Sequence, residues 1–365
     1  MSKIEYKDIM AFHPGYYVKE VIEDMEMTQS EFAKRLNTTD KTLSKLLNGE
    51  IPLSNELAKS LSQMLGTSID VWLNLQKKYE EKCCQIAQAK AIDEEVEYLK
   101  NISYKYFANL HVVPECKDKR EQVIHLRKYL QVSSLKVLAK QDLLVACKTS
   151  ILNVELKHVI NANAWIQTGI NFAKKIECKP FNKQRLEEYL SEIRSMTIQS
   201  PRDFYPRLQT IFMECGIAFV ALPYLSNSGV NGAVKWLNSN KVLLLLNDRN
   251  KYADTFWFSL FHEIKHILQQ KMKAVYLSVK EGSSLALGSN DKFNESEADS
   301  FARNKLIPPN LYQKFICTGN YSRQAIEEFA KDIGVHPCIV LGRLKHEEKL
   351  DWNVYSDLRI QYGIL

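Results

Sequence analysis

The sequence predicts a multidomain protein: an all-α domain at the N-terminus, a helical middle segment and an α+β domain at the C-terminus. Three observations lead there. Residues 13–80 break into short amphipathic stretches joined by tight turns. The β-rich runs at 216–222 (GIAFVAL) and 241–246 (KVLLLL) come after residue 200. A length of 365 residues leaves room for two or three cores at roughly 150 residues each. The expected boundaries are 1–80, 81–110, 111–200 and 201–365. No internal repeat is visible.

In the first domain, Thr28-Gln29-Ser30-Glu31 fits a capping box, with the Thr28 hydroxyl accepting from the Glu31 N–H and the Glu31 carboxylate reaching back. Phe32, Ala33 and Leu36 then face inward, and Asn37 tolerates the left-handed backbone of a tight turn. A second helix starts near Thr39-Asp40, buries Leu43, Leu46 and Leu47, and stops at Asn48-Gly49. This is the pattern of a helix-turn-helix, whose second helix lies in the DNA major groove. Thr39, Lys41, Thr42, Ser44 and Lys45 would face the bases. Gln29 and Ser30, at the start of the first helix, would meet phosphate. A bare helical hairpin used for packing or dimerisation has the same pattern.

The stretch from FHPG through TQSEFAKRLN and KLLNG to WLNLQ resembles the HigA antitoxin branch of the Cro/C1-type regulators, over residues 12–76. The resemblance implies operator binding as a homodimer, and in some members a bound toxin.

Residues 81–110 are polar, helix-favouring and free of Gly and Pro, and so read as a helical linker. The middle segment continues with inward positions Val123, Leu126, Leu130, Leu135 and Leu138. In the last domain, Asn238-Ser239-Asn240 can turn a hairpin between residues 232–237 and 241–246. Helical patterns follow from Thr255.

One of these helices carries His262-Glu263-Ile264-Lys265-His266, an HExxH motif. Residues i and i+4 share a helix face, so both imidazoles can bind one Zn²⁺ while Glu263 serves as general base toward the activated water. Trp257, Phe261, Ile264 and Leu268 give the helix an apolar side. A catalytic zinc needs a third protein ligand. Downstream lies NESEADSFA, where Glu297 is the expected ligand, Ala298 allows close helix approach, and Asp299 can fix a histidine tautomer from behind. Glu295 stands about 200° from Glu297 around a helix, so only one of the two can face the metal.

DTFWFSLFHEIKHIL, ESEADSFARNKLIPP and VHPCIVLGRLKHE together resemble the ImmA/IrrE family of metallo-endopeptidases, and the segment from Trp165 onward fits members preceded by a HigA-like domain. The resemblance implies a zincin-like metallopeptidase domain at 201–365, with Zn²⁺ held by His262, His266 and Glu297 and catalysis by Glu263. The family usually has Gly where this chain has Lys265, whose side chain is expected to snorkel to solvent.

Composition excludes several alternatives. The chain is 45% hydrophobic and 25% charged, with 13 Gly and 10 Pro, which is ordinary for a globular protein and not for a low-complexity one. No apolar run approaches the ~20 residues of a membrane helix, and no signal region opens the chain. Eight Cys without a CxxC pair suit reduced thiols in a cytoplasm. Residues 1–82 hold 11 basic against 13 acidic side chains, so charge alone does not mark the first domain as DNA-binding. His336 suits a structural role or an oxyanion contact, and Tyr224, Tyr252 and Tyr276 are further oxyanion candidates. Cys317 and Cys338 suit a core, and Arg343 and Lys345 a surface. The expected function is a DNA-binding transcriptional regulator fused to a zinc-dependent endopeptidase. Its partners would be double-stranded operator DNA and a protein substrate, either a repressor, a toxin or the chain itself, without membrane contact. The alternative is a non-enzymatic, antitoxin-like repressor whose C-terminal domain only senses or binds a partner.

Overall fold

The computed structural model describes residues 3–140, 143, 155–247, 252–270, 275–279 and 289–362, with backbone alone for 275–279 and 289–293. The chain forms two compact units, residues 1–97 with 118–124, and residues 98–117 with 125–365. This differs from the boundaries expected from sequence. The stretch beginning at residue 81 is no separate linker but the second half of a 28-residue helix whose Ile86 and Ala89 are buried. The middle helices share a unit with the C-terminal sheet, because that sheet needs a layer on each face.

The first unit opens with an unanticipated antiparallel hairpin, β1 (Lys3–Tyr6) and β2 (Ile9–Phe12), so this domain is not purely α. Four-residue strands leave too little alternation to read. Asp93, on the long helix, anchors the hairpin. It accepts from the Tyr6 hydroxyl at 2.5 Å and pairs with Lys7 at 2.6 Å and Arg120 at 2.9 Å. Five helices follow: α1 (Pro14–Asp24), α2 (Gln29–Arg35), α3 (Asp40–Leu47), α4 (Asn55–Leu65) and α5 (Ile69–Val96). Phe32, Ala33, Leu36, Leu43, Leu46, Leu61 and Trp72 form their core.

His13-Pro14-Gly15 starts α1 by three separate means. The His13 Nδ1 accepts from the Gly15 N–H at 3.0 Å, and Pro14 takes a position where no N–H is needed. A Cβ on Gly15 would lie 1.9 Å from the Leu46 carbonyl oxygen, so only glycine lets α1 approach the end of α3. His13 is 1% exposed, and burial lowers its pKa. The folded domain therefore binds less proton at His13 than the unfolded chain does. The stability this contributes is complete above the unfolded pKa near 6.5 and is lost as pH falls through the lowered folded value. Thermal unfolding from pH 7.5 to 5 is expected to show a steeper loss of stability for wild type than for His13→Asn, which keeps a capping side chain without titrating. Parallel curves would contradict this role for His13.

The second unit begins with α6 (Tyr104–Asn109). Helix α7 (Lys119–Leu130) is divided between the units at residue 124, and its expected inward residues Val123, Leu126 and Leu130 are buried. Then come α8 (Leu156–Lys174), α9 (Lys183–Ser195) and α10 (Pro201–Glu214). The sheet contains β3 (Ile217–Leu222), β4 (Val230–Asn238), β5 (Lys241–Asn247) and β6 (Val275–Val279), in the order β3-β5-β4-β6. β3 runs parallel to β5, while β4 is antiparallel to both β5 and β6. The β4–β5 hairpin turns where expected.

In β5, Val242, Leu244 and Leu246 face the larger core, with α10 and α11 (Ala253–Leu268). Leu245 meets α8 on the other face, where a Cβ on Gly169 would lie 2.5 Å from its methyl carbon. Burial on both faces accounts for the unbroken KVLLLL run. The chain ends in α12 (Ser289–Leu306), α13 (Pro309–Cys317), α14 (Arg323–Ile333) and α15 (Pro337–His346). Among the described residues no helix is long and apolar enough to cross a membrane.

Candidate functional site

The DNA-reading candidate is built on α2 and α3. Thr28 caps α2, its hydroxyl accepting from the Glu31 N–H at 3.2 Å. The reciprocal half of the capping box is replaced by an ion pair, with the Glu31 carboxylate holding Arg35 at 2.6 Å. Asn37 has φ 56°, and Thr39 caps α3 by accepting from the Thr42 N–H at 3.1 Å. Leu43, Leu46 and Leu47 point inward, which leaves Lys41 and Lys45 exposed and Thr42 and Ser44 half-buried on the outer side of the same helix. Thr39 and Thr42 also share a hydroxyl–hydroxyl hydrogen bond of 2.9 Å. Gln29 is exposed and Ser30 half-buried at the start of α2.

A second helix pair with a similar turn, not anticipated from the sequence, lies at α14–α15. Glu31-Phe32-Ala33-Lys34 recurs as Glu328-Phe329-Ala330-Lys331. In the first copy the Thr38 N–H donates to the Ala33 carbonyl at 2.9 Å; in the second the Val335 N–H donates to that of Ala330 at 3.0 Å. Gly334, with φ 67°, stands where Asn37 does, and His336 caps α15 where Thr39 caps α3. The repeat is short enough to escape a search for periodicity. Its second helix cannot read DNA, because Cys338, Ile339, Val340, Leu341 and Leu344 are all buried in the core. His336 is thus structural, its Nδ1 accepting from the Cys338 N–H at 3.1 Å.

The metal candidate lies between α11 and α12. Trp257, Phe261, Ile264 and Leu268 are buried and fix the apolar side of α11. The imidazoles of His262 and His266 are 5% and 0% exposed, and their Nε2 atoms lie 3.0 Å apart. The third group beside them is Glu295, not Glu297. Its carboxylate lies 3.1 Å from His262 Nε2 and 3.2 Å from His266 Nε2. Asp299, one turn further on, sits 2.9 Å from His262 Nδ1, where a second-row acceptor was expected.

The expected third ligand, Glu297, is instead turned aside. Its side chain is 44% exposed, pairs with Lys265 at 2.9 Å and accepts from Gln269 at 2.8 Å. The cause is helical phase. Ala298 and Ala302 are fully buried, and Glu295, Asp299 and Ala302 fall on that same face of α12, whereas Glu297 and Phe301 share a flank. Lys265 does not reach solvent freely: its ammonium is tied to Glu297 and lies 5.6 Å from the centre of the Phe301 ring. Glu295 to Asp299 is an i, i+4 pair, and that spacing was a usable signal once Asp299 had been placed behind a histidine.

The donor set suits a small divalent cation. Tetrahedral zinc with bonds near 2.0–2.1 Å separates its ligand atoms by about 3.3 Å, close to the edges found here, and two imidazoles with a carboxylate are typical zinc donors. His262, His266 and Glu295 are the group among the described residues whose ligand atoms all lie within 4.8 Å of one another. The electrostatics agree with a site built for positive charge. Burial disfavours the His262 imidazolium, but hydrogen bonds to Asp299 and Glu295 and the nearby Glu263 charge outweigh it and raise the pKa to about 10. Burial also pushes the Glu295 carboxyl upward, yet its contacts with the two histidines hold it down, at about 2. Glu263 is fully buried, with its carboxylate against Gly232 of β4.

Other expectations fare unevenly. Cys338 is buried but Cys317 is exposed. Lys345 is 1% exposed and donates to the Trp352 carbonyl, and Arg343 stacks 3.6 Å from the Tyr312 ring, so neither is a plain surface charge. Tyr252 lies under Arg359 at the start of α11, and the side chain of Tyr276 lies outside the described residues.

A helix-turn-helix family profile (HTH_3) matches residues 18–72. The uncharacterised HTH-type transcriptional regulator YddM of Escherichia coli is 36% identical over 72 residues, which are 19% of this chain and 77% of that protein. Virulence-associated protein A′ of Dichelobacter nodosus is 35% identical over 69 residues, covering 19% and 60%. Among solved structures, an antidote protein of a plasmid maintenance system from Nostoc punctiforme gives a TM-score of 0.23 at 24% identity, covering 23% of this chain and 92% of that one. A HigA-family addiction module antidote protein from Coxiella burnetii gives 0.21 at 29% identity, with the same coverage.

Proposed function

Because this chain belongs to the helix-turn-helix family through residues 18–72, we propose that it is a DNA-binding regulator whose second unit is a zinc-dependent endopeptidase. The observation that carries the second half is the meeting of His262 Nε2, His266 Nε2 and the Glu295 carboxylate at 3.0–3.2 Å, with Asp299 behind His262.

In the DNA-binding half, α3 enters the major groove of an operator, with Lys41 and Lys45 on phosphate and Thr42 and Ser44 toward the bases. A pair of chains reads two half-sites. Lys41→Ala and Lys45→Ala are each expected to weaken binding to the chain's own promoter and to reduce the salt slope by about 1, measured by fluorescence anisotropy across a salt series. Unchanged slopes in both variants would remove α3 from the interface.

In the peptidase half, His262, His266 and Glu295 hold the cation. A bound zinc supplies Lewis acidity toward a peptide carbonyl and makes water a stronger nucleophile at neutral pH. Asp299 accepts from the His262 Nδ1–H, which fixes the tautomer that leaves the Nε2 lone pair toward the site. Glu263, one residue after His262, takes the proton of the attacking water and returns it to the leaving amine. The substrate is a protein, a neighbouring regulator or toxin or the chain itself. The test is incubation of zinc-loaded protein with the products of adjacent genes. Wild type is expected to cleave one of them and Glu263→Gln is not. If neither cleaves any, and the purified chain carries no zinc while still binding its operator, the C-terminal unit acts by partner capture instead.

A further inference from the structure

Strand β4 contributes to this site as well as the metal helix. The β4–β6 register shifts between Val230 and Gly232, which marks a bulge, and Gly232 pairs with Leu246 on its other side. Gly232 is buried, and a Cβ built on it would lie 2.5 Å from Glu263 Oε1, 3.1 Å from its Cδ and 3.0 Å from a Leu246 methyl carbon. The carboxylate thus occupies the volume a side chain at 232 would need.

Retreat is restricted on the helix side. Ile264 and Ile267 are fully buried, so α11 cannot rotate away, and Glu263 itself is 0% exposed. Bulges re-aim strands next to functional sites, and an interior glycine marks a close approach.

We propose that Gly232 is a positioning residue for Glu263: its missing side chain is the space that holds the carboxylate in place beside His262. The role of Glu263 as base rests on the peptidase reading, but the contact itself does not. A methyl group at 232 forces the buried carboxylate out of its seat, and a group that transfers protons works only within about 0.5 Å of its productive position.

The test is a double-mutant cycle by thermal unfolding of the full chain, with wild type, Gly232→Ala, Glu263→Ala and the pair. Gly232→Ala is expected to lower Tm by roughly 3–8 °C through overpacking. At least half of that fall is expected to vanish when Glu263→Ala opens the space. If Gly232→Ala alone yields no folded protein, recovery of folding in the pair supports the proposal and failure to recover overturns it. Equal falls in both backgrounds, or no fall in either, overturn it too. The cycle needs neither metal nor substrate. A wild-type chain that takes up no zinc would therefore sink the peptidase reading and leave the Gly232–Glu263 result to stand or fall separately.

Discussion

On the proposed zinc site, Glu295→Ala is expected to lower zinc affinity by at least about 100-fold, and His262→Ala and His266→Ala likewise, because each would remove one of the three proposed ligands. Glu297→Ala is expected to stay within a few-fold of wild type. The contrast follows from geometry. Glu295 touches both imidazoles at 3.1 and 3.2 Å, while Glu297 spends its carboxylate on Lys265 and Gln269. Asp299→Ala falls between the two, with a loss of about 10–100-fold, since it acts on the metal through His262. Competition with a chelating indicator, together with metal analysis of each purified variant, reads all five. Loss of zinc in Glu297→Ala equal to that in Glu295→Ala would show that α12 turns its other flank to the metal.

Arg359→Ala is expected to cost about 3–5 kcal/mol in the second unit, the typical penalty for leaving a buried charge without its partner. Arg359 grips the carboxylate of Asp254 with Nε at 3.1 Å and Nη2 at 3.2 Å, and its guanidinium lies 3.9 Å from the Tyr252 ring. Asp254 is 6% exposed, and a Cβ on Gly342 would already touch it at 2.6 Å, so water cannot easily replace the arginine. The same segment serves α11 in other ways. No side chain caps α11, but the Ala253 N–H donates to the Ile360 carbonyl at 3.0 Å, and the Trp257 Nε1–H donates to the Tyr362 hydroxyl at 2.8 Å. A fall in Tm of about 10 °C corresponds to this cost in a unit of this size. Asp254→Ala combined with Arg359→Ala should lose less than Arg359→Ala alone, because the orphaned charge is gone. A fall below about 2 °C for Arg359→Ala would mean the pair is solvated and weak.

Local signals in the chain carried much of this. Thr28 was legible as a cap because the hydroxyl and the N–H it serves are three residues apart, whereas Thr39, which caps α3 in the same way, was read only as a base-facing residue at the helix start. Asn37 was legible because its left-handed backbone needs a tolerant residue. His262 and His266 were legible as a pair because four residues bring a helix nearly full circle. The β4–β5 hairpin was legible from the polar turn between two apolar runs. The β1–β2 hairpin was not, since its strands are short and gain their stability from Asp93, some eighty residues away.

The amino-acid sequence by itself determined the helix-turn-helix and the pairing of His262 with His266 on one helix face with Glu263 between them, because each depends on contacts within a few residues. Only the tertiary structure decided which carboxylate joins them. Helical periodicity says that Glu295 and Glu297 point apart, and the packing of Ala298 and Ala302 against α11 chooses between the two. Tertiary packing likewise decided that the second EFAK helix pair is core and not reader, since burial of α15 comes from its neighbours. It also gave Gly232 its meaning, because a glycine makes room only for a group that arrives from elsewhere in the fold.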